Sequence, residues 1–162
     1  LRVILQAMAR LRNREQLHYV ICGEGPDMPF LQKLTRQLHL EERVHLLGYR
    51  TDIPDMLGAA DIFCMPSRRE GCGMAALEAM AAGLPLITVR SHGTKTYAEK
   101  GESGFCLKGD LVTSCADAIE QLADNKLLRR QMGARNRAAA TAFSDADRMM
   151  LLRGYYQKAL GD

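Results

Sequence analysis

The sequence lacks any run of five or more basic residues, and its 22 Lys and Arg are nearly balanced by 19 Asp and Glu. The resulting net charge of +3 over 162 residues gives only weak attraction toward nucleic acid or anionic lipid. Aromatic residues are scarce at 6%, whereas 47% of the residues are apolar and 25% are charged. These proportions exclude a disordered tail and a small disulfide scaffold, and the length suits one domain with a sizeable core. We expect no nucleic-acid partner.

The sequence also lacks the paired spacings that bind metals. Its five cysteines lie eight or more residues apart, so no C-x-x-C pair is present to bind zinc. The four histidines show no H-x-H or H-E-x-x-H spacing. We therefore expect no metal, and an odd number of cysteines suits a reducing cytoplasm better than secretion. The residues concerned are Cys22, Cys64, Cys72, Cys106 and Cys115, and His18, His39, His45 and His92.

Long hydrophobic runs are missing as well, because Gly, Pro or an acid interrupts each uncharged segment short of the roughly 18 strongly apolar residues that a membrane span needs. The sequence therefore predicts no membrane-crossing helix. Its first residues show helical spacing of apolar side chains at Leu1, Leu5, Met8 and Leu11, with no capping residue before them. This pattern predicts a chain that begins within a helix and comes from a longer protein. A frayed natural start is the alternative.

Short apolar runs then alternate with helical patterns, which is typical of βαβ units and a parallel sheet. We expect a doubly wound α/β domain over 1–162, with no linker that divides it. The predicted strands are 18–22, 43–47, 61–65, 86–89 and 104–107. The predicted helices after the first are 27–39, 53–59, 73–82, 95–100, 111–123, 126–142 and a C-terminal helix within 145–160, with Ser144 and Gly161 as its caps.

The segment from Gly71 to Val89 holds nineteen residues and one charge, Glu78. A carboxylate in so apolar a helix needs a hydrogen-bonding partner or a ligand. A helical wheel places Leu77, Met80, Ala81 and Leu84 in the packing stripe, with Glu78 about 100° away from Leu77. Glu78 is therefore predicted to face a cleft, and a structural pair with an amide or an Arg is the alternative.

A polar, Gly-rich turn from Ser67 to Met74 leads into that helix. Gly71 and Gly73 allow a close approach of the backbone to a ligand, and the free amides of Cys72, Gly73 and Met74 would point at it with the positive end of the helix dipole. Such a turn can hold phosphate. Its alternative is a tight strand-to-helix turn without a ligand.

Together, the residues PSRREGCGMAALEAMAAGLPLI resemble the signature of retaining glycosyltransferases of the GT-B fold. Glu70 and Glu78 occupy the positions of the E-x7-E motif of that family. The resemblance extends to VICGEGPDMPFLQKL, to RVHLLGYRTDIPDMLGAADIFCMPS and to GESGFCL, in the same order and spacing.

The resemblance implies a C-terminal lobe that binds a nucleotide-sugar donor in a cleft at the carboxyl ends of the strands. Glu78 would bind the ribose hydroxyls, because a carboxylate accepts from two neighbouring hydroxyls. Glu70 would bind hydroxyls of the donor sugar and is the predicted catalytic residue. The other implied donor-binding residues are Gly71, Cys72, Gly73 and Met74 at the sugar and diphosphate, Gly23 and Gly25 along the cleft, and Tyr49, Arg50 and Thr51 along the base.

The family transfers a sugar from a UDP- or GDP-linked donor with retention, generally without a metal, and with no cofactor beyond that substrate. The first strand of the lobe and the basic residues after it would precede Leu1, as would the acceptor-binding lobe. We therefore expect residues 1–162 by themselves to be inactive. The parent protein would transfer the sugar to a polysaccharide, lipid-linked or other glycan acceptor. We expect it in the cytoplasm or at the inner membrane surface. Without that strand, strands 18–22 and 61–65 have unpaired edges, which meet each other or are filled by a partner chain or another segment.

Several interpretations stay open beside this one. His92 and Lys95 follow a strand end and would contact the donor, or they belong to an ordinary polar loop. A non-catalytic nucleotide-sugar-binding module and a sugar-nucleotide epimerase share the architecture. Hydride transfer is disfavoured, because the GEGP turn at 23–26 lacks the third glycine of G-x-G-x-x-G. The arginines of the helix at 126–142 are expected to form a solvated face.

Overall fold

The computed structural model describes residues 1–67, 73–89 and 103–143. In these ranges the chain alternates helices and strands as predicted. The helices are α1 (Arg2–Arg10), α2 (Met28–Gln37), α3 (Ile53–Ala59), α4 (Met74–Ala81), α5 (Leu111–Asp124) and α6 (Lys126–Ala140), followed by a 3-10 turn at Thr141–Phe143. The strands are β1 (Tyr19–Cys22), β2 (Val44–Gly48), β3 (Phe63–Met65), β4 (Leu86–Val89) and β5 (Gly104–Leu107).

The five strands form two parallel sheets, β1–β2 and β3–β4–β5. Tyr19 pairs with Val44 in the first sheet, and Leu86 pairs with both Phe63 and Gly104 in the second. The parallel pairs β1–β2 and β3–β4, each joined through a described helix, confirm the predicted α/β class. The predicted helices at 95–100 and 145–160, with the caps Ser144 and Gly161, lie outside the described residues.

The facing edges of β1 and β3 form no ladder with each other in the described part of the sheet. The Tyr19 amide donates to the Arg43 carbonyl at 2.8 Å, on the β2 side of β1, and the Phe63 amide donates to Pro85 at 3.0 Å, beside β4. Because successive backbone groups alternate between the two edges of a strand, the groups of Val20 and Cys64 point to the other edge. Of the two expectations for these edges, direct pairing is therefore wrong for the described strands.

One hydrophobic cluster nevertheless spans both sheets. It joins Ile4 and Leu5 of α1 with Ile21 of β1, Ile87 of β4 and Leu122 of α5. Four of these five side chains are fully enclosed, and Ile21 is 6% exposed. Burial of such side chains is the main favourable contribution to folding, at about 1.5–3 kcal/mol each. A second cluster, built on Ala76, Leu77, Ala79, Met80, Leu84 and Leu86, packs around α4.

The predicted apolar stripe of the first helix is correct at three of its four positions. Leu5, Met8 and Leu11 are buried, whereas Leu1 is 50% exposed and precedes the first helical residue. Leu1 follows the spacing of the stripe, but it precedes the helix and half of its surface stays exposed. No helix in the described ranges is long and apolar enough to span a bilayer.

Two histidines that the sequence placed in strands satisfy each other. Nδ1 of His18 lies 3.1 Å from Nε2 of His45 on the neighbouring strand β2. The ring centroids are 5.3 Å apart and the ring planes differ by 20°, so the two nitrogens face each other nearly in the plane of both rings. His18 and His45 thus have a structural role.

The arginines of α6 form a solvated face only in part. Arg129 is half-buried, whereas Arg137 is exposed as expected and also donates a hydrogen bond to the backbone. Nη1 of Arg129 donates to the carbonyls of Leu122 and Ala123 at 2.5 and 2.9 Å, at the end of α5. Nη2 of Arg137 donates to the carbonyl of Ala82 at 2.9 Å, at the end of α4. Cations at these positions satisfy carbonyls that a helix end leaves without partners.

Candidate functional site

The turns that follow β1 and β2 meet at their carboxyl ends. The amide of Gly23 donates to the carbonyl of Gly48 at 2.6 Å. Gly23 has a φ of +125° and Gly48 a φ of +66°, conformations that favour glycine. Oε1 of Glu24 lies 3.7 Å from the position a Cβ at Gly48 would occupy. The structure therefore joins the GEG turn to the segment beginning at Tyr49, and the assignment of both to a donor cleft stays a prediction.

The segment after β2 carries an ion pair beside an exposed aromatic ring. Tyr49 is 72% exposed. Nε of Arg50 donates to Oδ1 of Asp52 at 2.7 Å, and Nη2 donates to the second carboxylate oxygen. The hydrogen bond from Arg50 lowers the pKa of Asp52. Because Asp52 directly precedes α3, this pair fixes the Arg50 side chain at the beginning of that helix.

The helix α4 begins at a left-handed glycine without a side-chain cap. Gly73 has φ 68° and ψ 49° and precedes Met74. The carbonyl of Gly73 accepts from the amides of Ala76 and Leu77 at 2.8 and 3.2 Å. The amides of the first turn before Ala76 have no partner within the helix, and they lie at the positive end of its dipole. This arrangement suits an anion. Contact of Gly73 and Met74 with a ligand stays a prediction.

Glu78 lies one turn beyond Met74 on the same side of α4, because residues four apart share a helix face. Met74 is 53% exposed, and Glu78 is exposed too. Within the ranges that the structure describes, the Glu78 carboxylate takes part in no ion pair. Glu78 is exposed while α4 stays packed, and exposure removes the desolvation cost that a buried carboxylate would carry. That Glu78 faces a donor cleft stays a prediction.

The predicted packing stripe of α4 needs one correction. Leu77, Met80 and Leu84 are buried as expected, whereas Ala81 is exposed. Ala76 and Ala79 are fully buried in its place. The helix α4 packs against α6, and a helical wheel does not show which side chains a neighbouring helix covers.

Two acids near the candidate cleft were not singled out in the sequence. Glu24 lies within the GEG turn, and Asp52 holds Arg50. The signal for Asp52 was its position just before a predicted helix, which is typical of an N-cap. Glu70, Gly71, Cys72, His92 and Lys95 lie outside the described residues, so their assignments stay predictions. In the described ranges no group of three or more His, Cys, Asp or Glu side chains is placed to hold a metal ion.

Comparison with known proteins identifies the class of this fold and site. Residues 1–139 match the family Glycosyl transferases group 1. N-acetyl-alpha-D-glucosaminyl L-malate synthase from Bacillus anthracis is 33% identical over 135 residues, which are 83% of this chain and 35% of that protein. The chain therefore belongs to the group 1 glycosyltransferase family, as the E-x7-E segment predicted. It spans about a third of the length of the curated relatives it matches.

Solved structures share the fold. Alr3699/HepE of Anabaena in complex with UDP-glucose is 25% identical, with a TM-score of 0.78 over 86% of this chain and 39% of that one. The C-terminal domain of a group 1 glycosyl transferase, LpcC from Francisella tularensis, is 24% identical, with a TM-score of 0.77 over 87% of this chain and 77% of that one. These likenesses confirm the predicted Rossmann-like α/β fold.

Proposed function

We propose that the chain is the donor-binding, C-terminal lobe of a retaining glycosyltransferase. The observation that carries this proposal is the beginning of α4, where uncapped amides follow the left-handed Gly73 and the exposed Glu78 lies on the same side as Met74. The uncapped amides suit a diphosphate, and the Glu78 carboxylate suits a pair of ribose hydroxyls. Membership of the group 1 family and the likeness to a UDP-glucose complex support the same ligand class.

The proposed roles follow the chain from one turn to the next. The amides at Gly71, Cys72, Gly73 and Met74 contact the sugar and the diphosphate, and Glu78 accepts from the ribose. Glu70 binds the transferred sugar. Gly23 and Gly25 line the cleft, Tyr49, Arg50 and Thr51 border the base, and His92 and Lys95 are further candidates at the donor.

The base would be recognised through backbone groups of the segment after β2. The donor is a UDP- or GDP-linked sugar, and the complex of Alr3699/HepE with UDP-glucose favours UDP. The Arg50–Asp52 pair supports a rigid border for the base, because both side chains are engaged with each other.

In the proposed reaction the bond between the anomeric carbon and the diphosphate oxygen breaks as a bond to the acceptor oxygen forms on the same face. The acceptor hydroxyl passes its proton to the departing diphosphate oxygen, and the nucleoside diphosphate leaves. Stabilisation of the charge that develops on the diphosphate lowers the barrier, and positioned amides supply it without reorganisation. No metal ion or further cofactor is part of this proposal.

The activity of the whole protein is also a proposal. The acceptor would bind a second lobe. The Bacillus anthracis relative, N-acetyl-alpha-D-glucosaminyl L-malate synthase, is named for a product that contains L-malate, so acceptors differ among the relatives. For this protein we propose a polysaccharide, lipid-linked or other glycan acceptor in the cytoplasm or at the inner membrane surface.

Calorimetric titration with UDP, UDP-glucose and GDP tests the donor site. We expect Glu78→Gln to weaken binding of the preferred nucleotide by about tenfold or more, since a hydrogen bond to a charged group contributes about 1.5–3 kcal/mol. Glu41→Gln is the matched control, because Glu41 is an exposed acid away from α4. The same titration on the full-length parent includes the basic residues expected upstream. A parent that binds none of these nucleotides would contradict the proposal.

A second measurement separates a transferase from a binding module and from an epimerase. The full-length parent should release nucleoside diphosphate only when an acceptor is present. An epimerase would interconvert the donor without an acceptor, and a binding module would leave the donor unchanged.

A further inference from the structure

The turn that ends α4 is held by three residues of α6. Nδ2 of Asn136 donates to the carbonyl of Leu84 at 2.6 Å, and Nη2 of Arg137 donates to the carbonyl of Ala82 at 2.9 Å. Between them, a Cβ added to Gly133 would lie 2.0 Å from the carbonyl oxygen of Gly83. Because residues three and four apart share a helix face, one face of α6 contacts the whole Ala82–Leu84 turn.

Asn136 also ties this turn to the sheet. Its amide nitrogen donates a second hydrogen bond to the carbonyl of Ser103 at 2.8 Å, just before β5. The side chain is 1% exposed, and within the described part of the chain its Oδ1 is buried without a hydrogen-bond partner. An unpaired buried oxygen costs about 1–3 kcal/mol, so the amide is present for its two donors and not for its acceptor. The two N–H donors of the Asn136 amide thus link the carbonyl of Leu84 to the carbonyl of Ser103.

The orientation of α4 depends on its packing against α6 and on these contacts at its C-terminal end. Among the described elements the helix packs mainly against α6, and its Ala76 and Ala79 are fully buried. Its first residue has no side-chain cap that would fix it locally. Eight residues make a rod of about 12 Å, so a change of direction at Ala82 moves the first turn as well.

We propose that Asn136, Arg137 and Gly133 are positioning residues for the donor site, because they set the direction in which α4 presents its first amides and Glu78. This inference rests on the proposed function, since it assigns the donor to the beginning of α4. The three residues act through α4 and do not touch the donor themselves. Their effect on donor affinity is therefore separate from their effect on folding stability.

Arg137 allows the sharpest test, because its side chain is exposed and its replacement need not unfold the chain. Arg137→Met keeps the aliphatic length and removes the donors to Ala82, whereas Arg137→Lys keeps one donor group. Arg135→Met is the matched control, because Arg135 is exposed on the same helix. Asn136→Ser and Gly133→Ala are weaker tests, since either change can destabilise the whole domain.

Two readouts are needed. Calorimetry measures the dissociation constant of the preferred nucleotide. It uses the 162-residue chain if that chain binds the nucleotide, and otherwise the full-length parent. Heteronuclear NMR on the 162-residue chain measures the amide shifts of Met74 and Glu78. We expect Arg137→Met to weaken affinity about three- to tenfold, the size of one hydrogen bond, and to move both amide shifts. Arg137→Lys should recover most of the affinity, and Arg135→Met should match the unsubstituted chain in both readouts.

An Arg137→Met chain with unchanged affinity and unchanged amide shifts would overturn the inference and leave these residues a role in stability alone. Retained affinity with loss of thermal stability would overturn it equally. If neither the chain nor the parent binds any nucleotide, the proposed function fails, and the amide shifts at Met74 and Glu78 alone decide whether α6 sets the direction of α4.

Discussion

Gly133 of α6 is in backbone contact with Gly83 in the turn that follows α4, and there is no room for a side chain between them. A Cβ built on Gly133 would lie 2.0 Å from the carbonyl oxygen of Gly83 and 3.0 Å from its carbonyl carbon. Real Cβ atoms do not approach backbone atoms so closely, so any larger residue must move α6 away from α4. This contact explains a glycine in the middle of a helix, where glycine is otherwise unfavourable.

We expect Gly133→Ala to lower the free energy of unfolding by about 2 kcal/mol, because overpacking outweighs the better helix propensity of alanine. Urea unfolding followed by circular dichroism measures this change. Gly58→Ala in α3 is the matched control, since a Cβ there would contact nothing within 4 Å. The control should stabilise the chain by about 0.5–1 kcal/mol. Equal effects of the same sign at the two glycines would contradict the packing explanation.

The Arg50–Asp52 pair predicts a pH effect with a definite sign. The hydrogen bond from Arg50 lowers the pKa of Asp52 in the folded chain. The ionised carboxylate therefore contributes stability at neutral pH, and this contribution is lost as the pH falls through the folded-state pKa. The effect on stability is small, because both side chains are exposed to solvent.

Titration of the carboxyl carbon of Asp52 by NMR measures its pKa directly. Arg50→Met should raise this pKa toward the ordinary range, whereas Arg36→Met, on the exposed surface of α2, should not change it. A pKa of Asp52 that is the same in all three chains would show that the pair does not form in solution.

Two thiols should resist alkylation in the folded chain. Burial raises the pKa of the Cys64 thiol, and burial raises the pKa of Cys115 to about 11. At pH 8 a pKa of 11 leaves about 0.1% of a thiol as the reactive thiolate. Labelling with iodoacetamide and peptide mass spectrometry should find both unmodified in the native chain and modified in urea. Equal rates of labelling in the two states would contradict this prediction.

The beginning of α6 depends on a side-chain cap. Oδ1 of Asn125 accepts from the amide of Leu128 at 2.9 Å. We expect Asn125→Ala to lower the free energy of unfolding by about 1 kcal/mol and Asn125→Asp to lower it less, because aspartate caps equally well. Asn13→Ala, at an exposed turn, is the control for urea unfolding. A loss for Asn125→Asp as large as that for Asn125→Ala would contradict the capping role.

The sequence predicted most elements because their signals are local. The helix at 53–59 and the strands at 86–89 and 104–107 have the predicted bounds. The strand predicted at 61–65 begins two residues later, at Phe63, because the ladder to β4 starts there. Errors within helices arose where the wheel could not show what covers a side chain, as at Leu1 and Ala81.

Within the candidate site, most features with local sequence signals were predicted, whereas the contacts between distant residues were not. The glycine turn at Gly73 and the position of Glu78 away from the packing stripe follow from residue type and helical periodicity. The ion pair of Arg50 with Asp52 spans only two residues and had a local signal in the predicted helix start. By contrast, the meeting of Gly23 with Gly48 joins residues from two strands, which no local pattern specifies.

By itself the sequence determined the α/β alternation, the parallel arrangement and the family, because periodicity, glycine positions and the E-x7-E spacing are local properties. The tertiary structure alone decided how α4 is held, since Asn136 and Leu84 are 52 residues apart and Arg137 and Ala82 are 55 apart. It also decided that β1 and β3 form no ladder in the described part of the sheet. Such contacts depend on the approach of distant backbones, and hydrophobic patterning within a single element cannot encode their geometry.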